Sequence, residues 1–196
     1  MMSRMSRDSE RLIATSSQTV GPFFHFGLAD DATLGTVARS DTKGTHIRLH
    51  VRVLDGDGLP VADALIEIWQ ADADGNYVRP ADPSSVATPA FTGFGRLPTA
   101  ADGGCVFDTI LPGRVADDDG AFQAPHINVC LFARGLLRQV YTRIYFDGSD
   151  GLETDRILSL VPEERRSSLL ARPGVAGEWH FEIRLQGEGE TVFFDL

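Results

Sequence analysis

Between Gln123 and Asp147 apolar and polar residues alternate in two runs. In the first, Ile127, Val129 and Leu131 are interleaved with Asn128, Cys130 and Phe132. In the second, Val140, Thr142, Ile144 and Phe146 are interleaved with Gln139, Tyr141, Arg143 and Tyr145. A period of two sends successive side chains to opposite faces of a sheet. Arg134-Gly135 supplies turn chemistry between the runs, so the segment is predicted as a β-hairpin. Thr45–Asp55 alternates as cleanly: Ile47, Leu49, Val51 and Val53 point one way, and His46, Arg48, His50 and Arg52 the other. This is the pattern of a strand with one solvated face, and His46 and His50 are expected on that face. Ala64–Gln70 is denser in apolar residues and is expected to be central. Cys105–Ile110, then Glu178–Gln186 with Trp179, Phe181, Ile183 and Leu185 inward, then a short Thr191–Leu196 complete the predicted strands.

Turn residues punctuate these runs. Asp55-Gly-Asp-Gly58, Asp102-Gly-Gly104 and Pro112-Gly113 read as turns. Asp72-Ala-Asp-Gly-Asn76 has its glycine two positions too early for a calcium loop and no bidentate Glu at the required spacing, so it is also read as a turn. The three-Asp tip Asp117–Gly120 is read as a solvated turn. Residues 79–100 form a long Pro/Ser/Gly-rich loop, a kind that tends to be functional or mobile. One helix is predicted, Pro162–Ala171, because Pro suits the first helical position and Glu163-Glu164 suit the positive end of the helix dipole. Seven or eight short strands with one short late helix predict an all-β protein, a β-sandwich over residues 19–196 preceded by a mobile arm, 1–18. Within Thr19–His25, Gly-Pro is followed by two Phe that need a surface to pack on. That surface is either this domain itself or a partner or pocket.

Composition narrows the function classes. At 196 residues and 42% hydrophobic, the chain can bury one substantial core. A net charge of −10 leaves no electrostatic footprint for nucleic acid or an anionic membrane, and no apolar run approaches the length of a spanning helix. The first residues lack the apolar core of a secretory signal, so a soluble, cytoplasmic protein is expected, with Cys105 and Cys130 reduced and buried rather than paired. There is no G-x-S-x-G, phosphate-binding loop, H-E-x-x-H or paired-cysteine zinc pattern.

What remains is a constellation of Tyr77, the Pro112-Gly113 turn, His126 and Arg134. Ile66-Glu-Ile-Trp-Gln-Ala-Asp72, Gly75-Asn-Tyr77, Pro112-Gly113, Ala124-Pro-His-Ile127 and Tyr145-Phe-Asp147 resemble the intradiol ring-cleaving dioxygenases. The arm Ser17–Pro22, the stretch Ala124–Ala133 and the tail Gln186–Asp195 extend the resemblance through nearly the whole chain. Catalytic chains of that family hold a non-haem ferric ion with two Tyr and two His. By the resemblance, Tyr77 and His126 stand at two ligand positions, Val115 and Asn128 stand where a Tyr and a His are needed, and Gln123 stands where an active-site Arg is. Ferric iron is hard and is stabilised by anionic oxygen; an aliphatic group and a neutral amide remove two ligands and one negative charge. The resemblance therefore implies no metal in this chain. It implies a homologous beta-type partner chain that holds Fe(III), with protocatechuate and O2 as substrates and 3-carboxy-cis,cis-muconate as product. It further implies that Thr19, Gly21, Pro22, Phe23 and Arg134 of this chain border the substrate, the guanidinium facing the substrate carboxylate. Without the resemblance, Arg134 reads as a surface turn residue. The alternatives are a self-sufficient iron enzyme with an unusual ligand set and a non-catalytic binding module on the same fold.

Overall fold

The computed structural model of the chain describes residues 15–78, 89–117 and 119–195. Alternation becomes strand wherever the apolar set finds a common core. The strands are β1 His46–Leu54, β2 Leu65–Gln70, β3 Phe94–Pro98, β4 Gly104–Ile110, β5 His126–Phe132, β6 Val140–Phe146, β7 Leu170–Pro173 and β8 Glu178–Arg184. They form one sheet in the order β3-β2-β5-β6-β7-β8-β1-β4. Two joins run parallel, β1 with β8 and β6 with β7, and the rest are antiparallel. The β6–β7 join consists of two residue pairs, Tyr145–Leu170 and Phe146–Ala171. The sheet is therefore hinged there into two four-stranded halves. Ile66, Ile68, Val129 and Leu131 of one half share a single buried cluster with Leu49, Val51, Phe107, Phe181 and Ile183 of the other, which makes the predicted sandwich.

β1 alternates in burial as its sequence does, with Ile47, Leu49, Val51 and Val53 inside. Its two histidines part company: His46 is exposed and bonds the Thr42 carbonyl at 2.9 Å, whereas His50 is half-buried and stacks on His180. A second, smaller cluster forms around Tyr145, Leu158 and Leu169 on the outer side of β6.

Several elements differ from the sequence expectation. Pro162–Ala171 is not one helix: Glu163–Leu169 is a 3₁₀ helix and Leu170 starts β7. Residues 163–168 are all polar, so no apolar stripe holds an α-helix against the core; of the first apolar pair, Leu169 closes the 3₁₀ helix in the second cluster and Leu170 enters the sheet. Of the expected strand Thr191–Leu196, the described residues 191–195 do not form a strand. Thr191 exchanges two bonds with Arg184, its N–H donating to the carbonyl and its Oγ1 accepting from the amide, both at 2.9 Å; Phe194 donates to the Tyr141 carbonyl at 2.8 Å, and Leu196 lies outside the described residues. The expected loop 79–100 contains β3, while residues 79–88 lie outside the described residues. Two short helices were not anticipated, α1 Pro22–Leu28 and α2 Arg156–Ser159, along with a 3₁₀ turn at Ala32–Gly35. Residues 1–14 of the arm lie outside the described residues; 15–18 are exposed and without regular structure. Cys105 and Cys130 are unpaired but half-buried rather than buried, since one sits near the start of an edge strand and the other on the outward face of β5. Burial still pushes their thiols up, to about 12 and about 11. Among the described residues, no helix is long and apolar enough to cross a membrane.

Candidate functional site

Tyr77 is delivered by two turns that interlock through their backbones. After β2, the Asp72 carboxylate accepts from the Asp74 and Asn76 amides, both at 2.9 Å, which folds the chain back on itself. Gly75 sits at φ +84, and a Cβ there would lie 2.0 Å from the Arg114 carbonyl oxygen. Gly113 presents the reverse contact, its missing Cβ falling 2.5 Å from the Ala73 carbonyl and the Gly75 amide, and its N–H donates to the Asp72 carbonyl at 2.8 Å. The Gly75-Asn-Tyr77 and Pro112-Gly113 motifs are thus one device, and only glycine permits so close an approach.

His126 and Asn128 share a face of β5, as their spacing predicts, and both reach Tyr77. The His126 Nδ1–H donates to the Ala124 carbonyl at 2.8 Å, which leaves Nε2 as the acceptor for the Tyr77 hydroxyl at 3.2 Å. Asn128 Nδ2 donates to the Tyr77 oxygen at 2.9 Å. His126 is 1% exposed, and burial with the nearby Arg143 charge lowers its pKa to about 4, so it is a neutral imidazole. Burial raises the Tyr77 phenol above its ordinary value, so it is un-ionised. The exposed Trp69 indole meets the Tyr77 ring edge-on at 5.3 Å.

Two residues supporting this group, Asp155 and Arg143, were not singled out in the sequence. Asp155, fully buried, accepts from the Ala124 amide at 2.8 Å, the Leu158 amide at 2.8 Å and the Tyr145 hydroxyl at 3.1 Å. It caps α2 and fixes the residue whose carbonyl sets the His126 tautomer. Arg143, paired across the hairpin with Asn128, donates to Gln123 Oε1 at 2.8 Å. A guanidinium thus reaches Gln123 from the neighbouring strand. Gln123 Nε2 in turn donates to Asp117 at 2.6 Å.

This donor set does not fit ferric iron. The lone pair of His126 Nε2 and the oxygen of Tyr77 are engaged with each other, and Asn128 turns its NH2 rather than its carbonyl toward them. Val115 is aliphatic and half-buried, and its backbone carbonyl is taken by the Gln123 amide at 2.8 Å. Among the described residues, no group of three or more His, Cys, Asp or Glu side chains is placed to hold a metal.

The other candidate residues gather at the far end of β5, about 20 Å away along the strand. There the Gly135 amide donates to Thr19 Oγ1 at 2.9 Å, and Phe24 of α1 packs on Phe132 with ring centroids 5.2 Å apart. The arm from Thr19 therefore docks on its own domain, at the hairpin turn. Arg134 projects from that turn with its side chain 75% exposed, 4.0 Å from Asp63. Gly21 is exposed, and Pro22 and Phe23 open α1; the side chains of the latter two lie outside what the structure describes.

Comparison with known proteins agrees with both the fold and the motifs. A family model described as dioxygenase (Dioxygenase_C) matches residues 19–187. The chain is 42% identical to a protocatechuate 3,4-dioxygenase alpha chain from Burkholderia cepacia, over 93% of this chain and 97% of the relative. It is also 42% identical to one from Pseudomonas putida, over 95% and 98%. To a protocatechuate 3,4-dioxygenase beta chain from Burkholderia cepacia it is 34% identical, over 89% of this chain and 77% of the relative. Among solved structures, 3-chlorocatechol 1,2-dioxygenase from Rhodococcus opacus superposes with a TM-score of 0.63 at 23% identity, covering 87% of this chain and 71% of that one, which shows the shared fold. With the interlocked Gly75 and Gly113 turns and the β5 motif in place, the chain belongs to the intradiol ring-cleaving dioxygenase family, a family of iron-dependent enzymes.

Proposed function

We propose that this chain is the alpha-type, iron-free subunit of a cytoplasmic heteromeric dioxygenase that opens the ring of protocatechuate with O2 to give 3-carboxy-cis,cis-muconate. In this reading a homologous beta-type chain holds the Fe(III), and this chain supplies part of the substrate pocket wall. The observation that carries the assignment is the donor set: Val115 is aliphatic and Asn128 turns its NH2 toward Tyr77, which leaves Tyr77 and His126 as the two donors where a ferric ion needs more. The relatives named above come as both alpha and beta chains, which supports a two-chain assembly. They are all named as enzymes, and nothing among them favours a non-catalytic binding module. In this reading Arg134 meets the substrate carboxylate at the partner's pocket and Thr19, Gly21, Pro22 and Phe23 border it; the exposure of Arg134 at the hairpin turn, beside the Thr19–Gly135 contact, supports this. The guanidinium binds and orients the acid; the ring chemistry belongs to the partner's metal.

Purification of the chain alone and with its co-expressed beta-type partner tests this. The expected result is an iron-free, inactive chain alone, and iron with protocatechuate-dependent O2 uptake in the assembly. Near-stoichiometric iron in the chain by itself overturns the assignment. In the assembly, Arg134→Ala is expected to raise KM for protocatechuate about tenfold while iron content stays constant, the usual cost of one charge-assisted contact. An unchanged KM removes Arg134 from the pocket.

A further inference from the structure

The outer face of the half-sheet β7-β8-β1-β4 carries a cavity of about 770 Å³ that shares no residue with the Tyr77 group or the arm. Strand pairing lays its floor. Arg172, His180 and His50 are cross-strand neighbours in one row, and Arg52 lies opposite Glu182 in the next. The 3₁₀ helix at 163–169 and the turn at Asp102 contribute to the walls.

The charges here are unusual for a chain with a net charge of −10. Arg172 is exposed and has no ion pair, and Arg52 donates only to the backbone carbonyl of Asp102, at 3.1 Å; among the described residues, neither guanidinium meets a carboxylate. Arg184 is held by Glu182 at 2.7 Å, and the Asp102 carboxylate is turned to the Gly104 amide at 3.0 Å, so the two acids lining the cavity are engaged. His50 and His180 stack with centroids 4.8 Å apart, and Nε2 of His50 is buried without a hydrogen-bond partner. The nearest carboxylate, Glu178, stops 3.7 Å from it and 3.8 Å from His180 Nε2, outside hydrogen-bond range. Arg172, His180 and Arg52 therefore offer donors to a concave surface in two rows, with the unpartnered His50 Nε2 beneath it. Arg172 and Arg52 lie one row apart and on strands separated by β8, so two strand spacings and one two-residue step put their Cα atoms about 12 Å apart.

We propose that this cleft binds a small dicarboxylate, one carboxylate on Arg172 and His180 and the other on Arg52, bridged by three or four carbons. Carboxylates take guanidinium donors in bidentate fashion, and two such contacts fix both ends of a flexible acid.

Calorimetric titration of the purified assembly at low ionic strength tests this, with glutarate, neutral glutaramide and inorganic phosphate as probes. Saturable glutarate binding is expected, about tenfold weaker in Arg172→Gln and in Arg52→Gln, with no binding of glutaramide and unchanged ring-cleavage rates in both variants. The variants separate this cleft from any binding at the partner's metal. Absence of saturation by concentrations on the order of 10 mM overturns the proposal, as does equal glutarate affinity in the parent and both variants. Phosphate binding tighter than glutarate overturns the dicarboxylate assignment.

Discussion

Asp155→Ala is the substitution whose cost can be worked most directly from the geometry. The carboxylate is fully buried and serves three donors: the Ala124 and Leu158 amides and the Tyr145 hydroxyl. Alanine leaves all three in the interior without an acceptor, and each stranded buried donor costs roughly 1–3 kcal/mol. Water entering the vacated space offsets part of this. A net loss of about 4 kcal/mol follows, a large share of the roughly 5–15 kcal/mol that holds a domain of this size folded. Asp155→Asn keeps one acceptor oxygen and sets an NH2 against a second donor, so it is expected to fall between the parent and Asp155→Ala. Urea unfolding of the intact chain, at fixed concentration and followed by tryptophan fluorescence, reads the effect. With a slope of about 2 kcal/mol per M, the midpoint drops by about 2 M at unchanged slope. A loss under about 1 kcal/mol in both variants would refute the idea that Asp155 anchors the start of β5, as would a changed slope with an unmoved midpoint.

Two further outcomes follow from the same end of the sheet. Between pH 6.5 and about 4 the unfolded chain takes up a proton at position 126 that the folded chain refuses, because burial keeps His126 neutral. Stability therefore falls as pH falls through that window, by about 3 kcal/mol from this group, and is fully present above it. His126→Gln is expected to flatten that part of the stability–pH curve, and an identical slope in parent and variant would rule out the histidine as its source. Gly75→Ala must strain φ +84 and also push a methyl into the Arg114 carbonyl, whereas Gly120→Ala at φ +83 meets nothing within 4 Å. Thermal unfolding should show Gly75→Ala costing about 2 kcal/mol or more beyond Gly120→Ala; equal costs would mean the two turns do not interlock.

The strands were legible because their apolar positions repeat every second residue and the sandwich buries one face. Pro162–Ala171 misled because helix-start residues were present without an apolar stripe to hold the helix down. Tyr77, His126 and Asn128 could be grouped in advance by resemblance and by their shared face, but the residues that support them could not. A tight turn centred on Arg134-Gly135 pairs Asn128 with Tyr141; the actual loop is longer, ends the ladder at Leu131–Val140, and pairs Asn128 with Arg143. Both registers keep the same faces inward, so alternation could not choose between them. Asp155 was hidden for a different reason. Its donors lie 3, 10 and 31 residues away, and no local pattern marks a carboxylate that the interior will accept.

The latch between Thr19 and Gly135 has one more consequence. A flexible tail that orders itself only upon assembly gives up part of the association energy to lost freedom. Here the tail is already tied to the hairpin by one hydroxyl and a pair of rings before any second protein arrives. Whatever binds over that end meets a surface prepared in advance, and the entropy of ordering it has been met by the subunit's own folding.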